Sequence, residues 1–145
     1  MRKVIVSTIS AGIVLIFTNN PLVSHHYPEA RYLEGPPLKV LLAARDAVHR
    51  GHRLLLHPVL GNLLPHRGFF RSIVLTGRPE GSAEPASIAL LENTLEVFRD
   101  SGPPPSPPER VTADLQTIDF ELLTTGLHHL RPSRSTPQGR TSPCA

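Results

Sequence analysis

Short apolar runs separated by turn-forming residues predict the strands of this chain. Residues 13–17, Ile-Val-Leu-Ile-Phe, form a continuous run of branched and aromatic side chains, which is typical of a strand buried on both faces. Residues 54–56 and 70–76 predict two further buried strands. The first run ends at Asn19-Asn20-Pro21, a strong turn signal.

Helical spacing of apolar residues predicts two long helices. Residues 37–50 place one apolar stripe on a single face, and Gly51 follows where a C-terminal cap is expected. Residues 85–100 repeat the pattern, again with a proline in the first turn, where its missing N–H is tolerated. The two stripes consist of Val40, Leu41, Ala44, Ala47 and Val48, and of Ile88, Leu91, Leu95 and Phe98.

The last part of the chain predicts a strand followed by a short helix. Residues 114–120 alternate apolar and polar positions, which indicates a half-buried strand. Residues 121–130 predict the short helix, with Asp119 as its N-terminal cap. Asp114 and Asp119 then lie on opposite faces of the strand, which argues against paired-carboxylate catalysis.

Alternation of strands and helices predicts an α/β fold. We expect a small three-layer or two-layer sandwich around a mostly parallel sheet of about four strands. Residues 13–130 form a single domain in this interpretation, with residues 102–108 as an extended proline-rich spacer. Residues 1–12 are an N-terminal extension or an extra strand, and residues 131–145 are a disordered basic tail.

The distribution of charge argues against nucleic-acid binding. The net charge is +3, but the last fifteen residues hold three arginines and no acid, so the rest is balanced at 12 basic and 12 acidic residues. Nucleic-acid binding usually needs clustered Lys and Arg on a folded surface, and no such cluster is present. The single cysteine, Cys144, allows no disulfide within the chain, which fits a cytoplasmic protein.

The N-terminus has two interpretations. Met1-Arg2-Lys3 followed by the apolar run from Val4 to Phe17 resembles the start of a signal peptide. The run is too short to span a bilayer comfortably, and no small-x-small cleavage pattern follows it promptly. We therefore favour one or two buried strands, with no membrane association.

Three segments carry a family resemblance. They are 17–23, Phe-Thr-Asn-Asn-Pro-Leu-Val; 51–62, Gly-His-Arg-Leu-Leu-Leu-His-Pro-Val-Leu-Gly-Asn, followed by 70–75; and 114–119, Asp-Leu-Gln-Thr-Ile-Asp. In this order and spacing, over roughly residues 13–125, the chain resembles the GrdX family. These small proteins are encoded beside the glycine, sarcosine and betaine reductase components of bacteria that ferment amino acids.

The resemblance implies an accessory role and assigns no catalytic residues. It suggests glycine reductase components as partners. The residues add that glycine reduction needs thiol or selenol chemistry, whereas Cys144 has no second thiol with which to exchange. We therefore expect a protein that assists the system without carrying redox chemistry, and we lean against an enzyme.

Polar residues at three predicted strand ends suggest the alternative, a small-molecule-binding or catalytic domain. If the strands are parallel, their carboxyl ends gather at one edge, where open α/β sheets bind ligands. The ligand-binding candidates are Thr18, Asn19, Asn20, His57 and Thr76. The structural alternative is that Asn, Pro and Gly stand there because turns require them.

The sequence offers little support for a metal site, a serine nucleophile or a nucleotide-binding loop. The eight histidines show no His-Glu-x-x-His spacing, and no Gly-x-Ser-x-Gly, Gly-x-Gly-x-x-Gly or Walker motif occurs. We accordingly expect no metal, no cofactor and no catalytic residue. Edge strands are expected in so small a sheet, which leaves a homodimer open.

Overall fold

Seven elements form the described part of the chain, which in this computed structural model comprises residues 14–55, 69–101 and 106–130. In chain order they are β1 (Val14–Thr18), α1 (Pro21–His26), β2 (Arg31–Tyr32), α2 (Pro37–His49), β3 (Ser72–Thr76), α3 (Pro85–Ser101) and α4 (Glu109–His129). No helix in this described part is both long and apolar enough to cross a bilayer.

The predicted elements β1, α2, β3 and α3 are confirmed with small changes of boundary. The turn signal at Asn19-Asn20-Pro21 marks the entry into α1, where Asn20 is the N-terminal cap and Pro21 stands in the first turn. Gly51 has a φ of 106°, which only glycine adopts readily, and its N–H bonds to the carbonyl of Val48 at the end of α2.

The sheet is smaller than expected and mixed in direction. Its order is β2-β1-β3, with β1 parallel to β2 and antiparallel to β3. The expectation of about four mostly parallel strands is therefore not confirmed. A buried strand reads as a continuous apolar run whichever way its neighbour points, so the pattern could not distinguish the two directions.

The predicted strand at 54–56 is reduced in the described residues to an isolated antiparallel bridge between Leu54 and Leu75. The N–H of Leu55 donates to the carbonyl of Val74 at 2.9 Å, and that of Thr76 donates to the carbonyl of Arg53 at 2.8 Å. These two hydrogen bonds add one short antiparallel pairing to the sheet, on the far side of β3 from β1. Leu56 lies outside the described residues.

The prediction of a strand at 114–120 is wrong, because α4 runs without a break through this segment and on to His129. Asp119 consequently lies in the middle of a helix and is not a cap. The apparent alternation of Leu115, Ile118 and Phe120 arises because α4 has apolar residues on two of its faces.

Helices cover both faces of the sheet, which gives the three-layer form of the predicted sandwich. Phe17, Ile73 and Leu75 pack on one side against α2 and α3. Ile16 and Val74 point to the other side and pack against residues of α1 and α4. Adjacent strand residues thus supply two separate cores, as the period of two requires. The N-terminal segment 1–12, residues 102–105 of the spacer and the tail 131–145 lie outside the described residues.

We expect Gly51→Ala to destabilise the protein more than Gly81→Ala. Both glycines have a positive φ, 106° and 99°, so each alanine carries a backbone cost of about 1–3 kcal/mol. A Cβ at Gly51 would also collide with the carbonyl oxygen of Gly81, whereas a Cβ at Gly81 meets nothing within 4 Å. Urea unfolding of both variants measures the difference, and equal losses would contradict the close packing of Gly51 on the 79–81 loop.

Candidate functional site

Three buried polar residues stand where β1 ends: Thr18 is its last residue, and Asn19 and Asn20 follow it. Thr18, Asn19 and Asn20 have exposed fractions of 0%, 3% and 0%. Buried polar groups are costly unless they form hydrogen bonds, so the partners of these side chains show what the end of β1 does.

The Asn19 side chain forms hydrogen bonds that hold the end of β1 to two neighbouring backbone segments. Its Nδ2 donates to the carbonyl oxygens of Gly35 at 3.0 Å and Phe69 at 2.8 Å. Its Oδ1 accepts from the N–H of Arg71 at 2.8 Å. Both amide protons of Asn19 are thus donated to the protein's own backbone, ahead of α2 and ahead of β3.

Asn20 joins the start of α1 to the middle of α4. Its Oδ1 accepts from the N–H of Leu22 at 3.0 Å, which is the capping bond of α1. Its Nδ2 donates to the carbonyl oxygen of Gln116 at 2.8 Å and to Oδ2 of Asp119 at 2.9 Å. One side chain therefore holds two helices to the end of β1.

Hydroxyl groups close a ring of hydrogen bonds around Asp119. The N–H of Asn20 donates to Oγ1 of Thr18 at 3.0 Å, Thr18 and Ser72 hydroxyls are 2.8 Å apart, and Ser72 Oγ donates to Oδ2 of Asp119 at 2.8 Å. An ionised carboxylate only accepts, so Ser72 donates to Asp119 and must accept from Thr18. When Asp119 is ionised, Thr18 therefore donates to Ser72, and both Ser72 and Asn20 donate to the carboxylate.

A buried cation accompanies the Asp119 carboxylate. Burial raises the pKa of Asp119, while hydrogen bonds from Asn20 and Ser72 and the charge of Arg71 offset part of the rise. Burial likewise lowers the pKa of Arg71, and the charge of Asp119 opposes that change. The Arg71 guanidinium carbon lies 5.2 Å from the centre of the Phe98 ring, a cation–π distance. The site thus holds two opposite charges that water scarcely screens.

The five ligand-binding candidates do not all meet. Thr18, Asn19 and Asn20 lie together, but Val14 of β1 faces Thr76 whereas Thr18 faces Ser72. Because β1 and β3 are antiparallel, Thr76 lies at the other end of the sheet, about 13 Å along the strand at ~3.3 Å per residue. His57 lies outside the described residues.

Thr76 belongs to a separate polar group with the residues that follow α2. Its hydroxyl accepts from the N–H of Arg53 at 2.8 Å and donates to the carbonyl oxygen of Arg78 at 3.2 Å. Its carbonyl oxygen accepts from Nδ1 of His52 at 2.7 Å, which fixes the protonated nitrogen of that imidazole. Within the described part of the chain, no group of three or more His, Cys, Asp or Glu residues is placed to hold a metal ion.

The sequence patterns did not mark Arg71, Ser72 and Asp119 as members of the site. One signal was available for Asp119, since Asp119, Leu123 and Leu127 follow one another at intervals of four. An acid that continues an apolar stripe at helical spacing faces the core and needs partners there. No comparable pattern marks Arg71 or Ser72, because their positions next to Asp119 depend on how β3 pairs with β1, which local spacing does not show.

We expect Asn20→Asp to destabilise the protein by about 3–5 kcal/mol, because it removes two donors from buried acceptors and puts a second carboxylate beside Asp119. Asn93→Asp is the matched control, since Asn93 is exposed on α3 and the change in charge is the same. Its loss should be within about 0.5 kcal/mol. Similar unfolding free energies for the two variants would show that the Asn20 bonds contribute little.

The raised pKa of Asp119 predicts the direction of a pH effect. The folded protein holds this proton more tightly than the unfolded chain, so its contribution is present below the ordinary carboxyl pKa and lost as pH rises through the raised value. Asp119→Asn cannot titrate there. In urea titrations, the stability of the natural protein relative to this variant should fall as pH rises above the ordinary carboxyl pKa of about 4. A relative stability that rises with pH would mean that attraction to Arg71 outweighs burial.

Comparison with known proteins supports one assignment. No curated protein and no solved structure gives a significant match to this chain. A family model described as GrdX-like protein matches residues 15–128, a range that begins in β1, ends in α4 and includes every residue of the Asp119 ring. The chain therefore belongs to the family of GrdX-like proteins.

Proposed function

We propose that this GrdX-like protein is a cytoplasmic accessory protein of the glycine reductase system that acts by association and carries no redox chemistry itself. The observation that carries the proposal is the family match over residues 15–128. Members of the family are encoded beside the glycine, sarcosine and betaine reductase components, so a reductase component, or a step in its folding or maturation, is the natural partner.

The chemistry of the residues agrees with an assisting role. Cys144 is the sole thiol of the sequence, so no pair of thiols within one chain can carry a disulfide exchange. The amide protons of Asn19 and Asn20 are donated to the protein itself. A ligand that needed these donors would have to break bonds that hold β1 to its neighbours.

A small-molecule-binding or catalytic role at the end of β1 is the second candidate. One observation favours it, namely a buried carboxyl with a raised pKa, Asp119, under the influence of a buried cation, Arg71. Titratable groups perturbed by burial and by a specific charge occur often at functional sites, although structural ion pairs also produce them.

The first experiment is affinity capture with the tagged full-length chain from a lysate of glycine-fermenting cells, followed by direct binding to each purified reductase component. We expect specific recovery of one component and a measurable dissociation constant with the same component. Beads carrying an unrelated tagged protein of similar size control for background. Recovery at background level, with no binding to any purified component, would contradict the accessory role.

Thermal shift measurements separate the two candidates. An accessory protein should show no stabilisation with amino acids, acyl phosphates, nucleotides or metal ions. A shift produced by one of these compounds and lost in Asp119→Asn, with the fold retained, would instead favour the ligand site.

A further inference from the structure

We propose that the outer face of α4 is a docking surface for a basic amphipathic helix of a partner protein. This inference rests on the proposed accessory function and deepens it, because it names the surface and the chemistry of the partner. Four apolar residues define the surface, which we call the outer stripe: Val111, Leu115, Ile118 and Leu122.

The outer stripe is distinct from the stripe that anchors α4. Phe120, Leu123 and Leu127 pack into the core beneath the sheet. The outer stripe repeats at intervals of four, three and four residues, and at ~100° per residue its centre lies roughly 140° around the helix from the core stripe. The two core clusters of the described residues therefore do not account for these four apolar positions.

Exposure separates the two stripes in the same way. Ile118 is 45% exposed, whereas Leu123 and Leu127 are 1% and 4% exposed. Val111, Leu115 and Leu122 are half-buried, and none of the outer-stripe residues belongs to the two core clusters of the described chain.

Neighbouring contacts show which way the outer stripe faces. Tyr27 of α1 forms a hydrogen bond with Thr124 at 3.2 Å, and the ring of His26 lies 4.7 Å from that of Phe120. Thr124 and Phe120 are on the side of α4 away from the outer stripe. The stripe therefore faces away from α1, toward the side of the molecule beyond β3.

Charge specifies the partner. Asp114 and Glu121 are both exposed, lie two turns apart and follow one flank of the outer stripe. Arg110 lies on the same flank one turn before Asp114, at the start of α4, so the part of this flank that lies beside Ile118 remains acidic. A helix with Lys or Arg beside its own apolar positions would place cations against this flank, as in the flanking pairs of coiled coils.

A second copy of the chain fits this surface less well. In an antiparallel pair of α4 helices, Asp114 and Glu121 would face their own equivalents across the seam. In a parallel pair they would face the flank that holds Thr112 and Asp119, which carries no cation. In these two arrangements Asp114 and Glu121 therefore face acids or neutral residues, whereas a basic partner helix places a cation beside each of them.

The test uses two synthetic helical peptides with identical leucine positions, one flanked by lysines and one by glutamates. Fluorescence anisotropy measures their binding to the full-length chain. We expect the lysine peptide to bind the natural protein and to bind Ile118→Ser about tenfold more weakly. Asp114→Lys/Glu121→Lys should weaken the lysine peptide about tenfold and bind the glutamate peptide in its place.

The matched control is Glu96→Lys/Asp100→Lys, which reverses two exposed acids one turn apart on α3. It changes the net charge equally, and we expect lysine-peptide binding within about twofold of the natural protein. Urea unfolding should give all variants a stability within about 0.5 kcal/mol of the natural protein, because each changed residue is exposed.

Several outcomes would overturn the inference. Absence of peptide binding, equal binding of both peptides, or equal loss in the α3 control would each exclude a specific acidic and apolar docking face. A chain that sediments as a dimer and becomes monomeric in Ile118→Ser would show that a second copy covers the stripe.

Capture of reductase components distinguishes this failure from failure of the proposed function. Equal recovery by the natural chain and by both α4 variants would leave the accessory role intact and remove the outer stripe from it. Selective peptide binding without recovery of any component would support the docking face while the accessory role to the reductase fails.

Discussion

The position of α4 depends on one buried carboxylate. Asp119 accepts from Asn20, two residues after β1, and from Ser72 at the start of β3, so a single oxygen atom joins α4 to the N-terminal cap of α1 and to β3. The same Asn20 caps α1, and therefore both helices on this face of the sheet are fixed relative to the end of β1. Directional bonds set this arrangement, whereas apolar contacts alone would allow α4 to slide or rotate.

The charge of this carboxylate connects the two helical layers. Arg71, which lies next to Ser72, interacts electrostatically with Asp119 on one side of the sheet. Its guanidinium group also lies over Phe98, a member of the core formed by α2 and α3 on the other side. A substitution of Asp119 would therefore affect the packing of both helical layers, because Arg71 contacts Phe98 in one layer and interacts with the Asp119 carboxylate in the other.

Sequence patterns predicted the elements that bury a single face or both faces fully. The apolar run 13–17 and the stripes of α2 and α3 each describe one environment, and β1, α2 and α3 follow them closely. The pattern was misleading for α4, where Leu115 and Ile118 belong to the outer stripe and Phe120 to the core. Merging two helical faces produces an apparent alternation, which is the signature of a strand. The direction of β3 and the meeting of Arg71 with Asp119 depend on pairing between distant segments, which local spacing does not encode.

The two faces of α4 differ in their surroundings, and the difference bears on function. On the inner face, the donors that could recognise a ligand are already bonded to the protein, and both Ser72 and Asn20 donate to Asp119. On the outer face, apolar side chains reach the surface beside Asp114 and Glu121. The exposed part of the Ile118 side chain adds nothing to folding, whereas its burial against another helix would stabilise a complex. The inner hydrogen bonds hold α4 to the end of β1 and to β3, and a helix that is already held in place loses little conformational entropy when a partner binds its outer face. This arrangement of α4 is thus compatible with the proposed action by association.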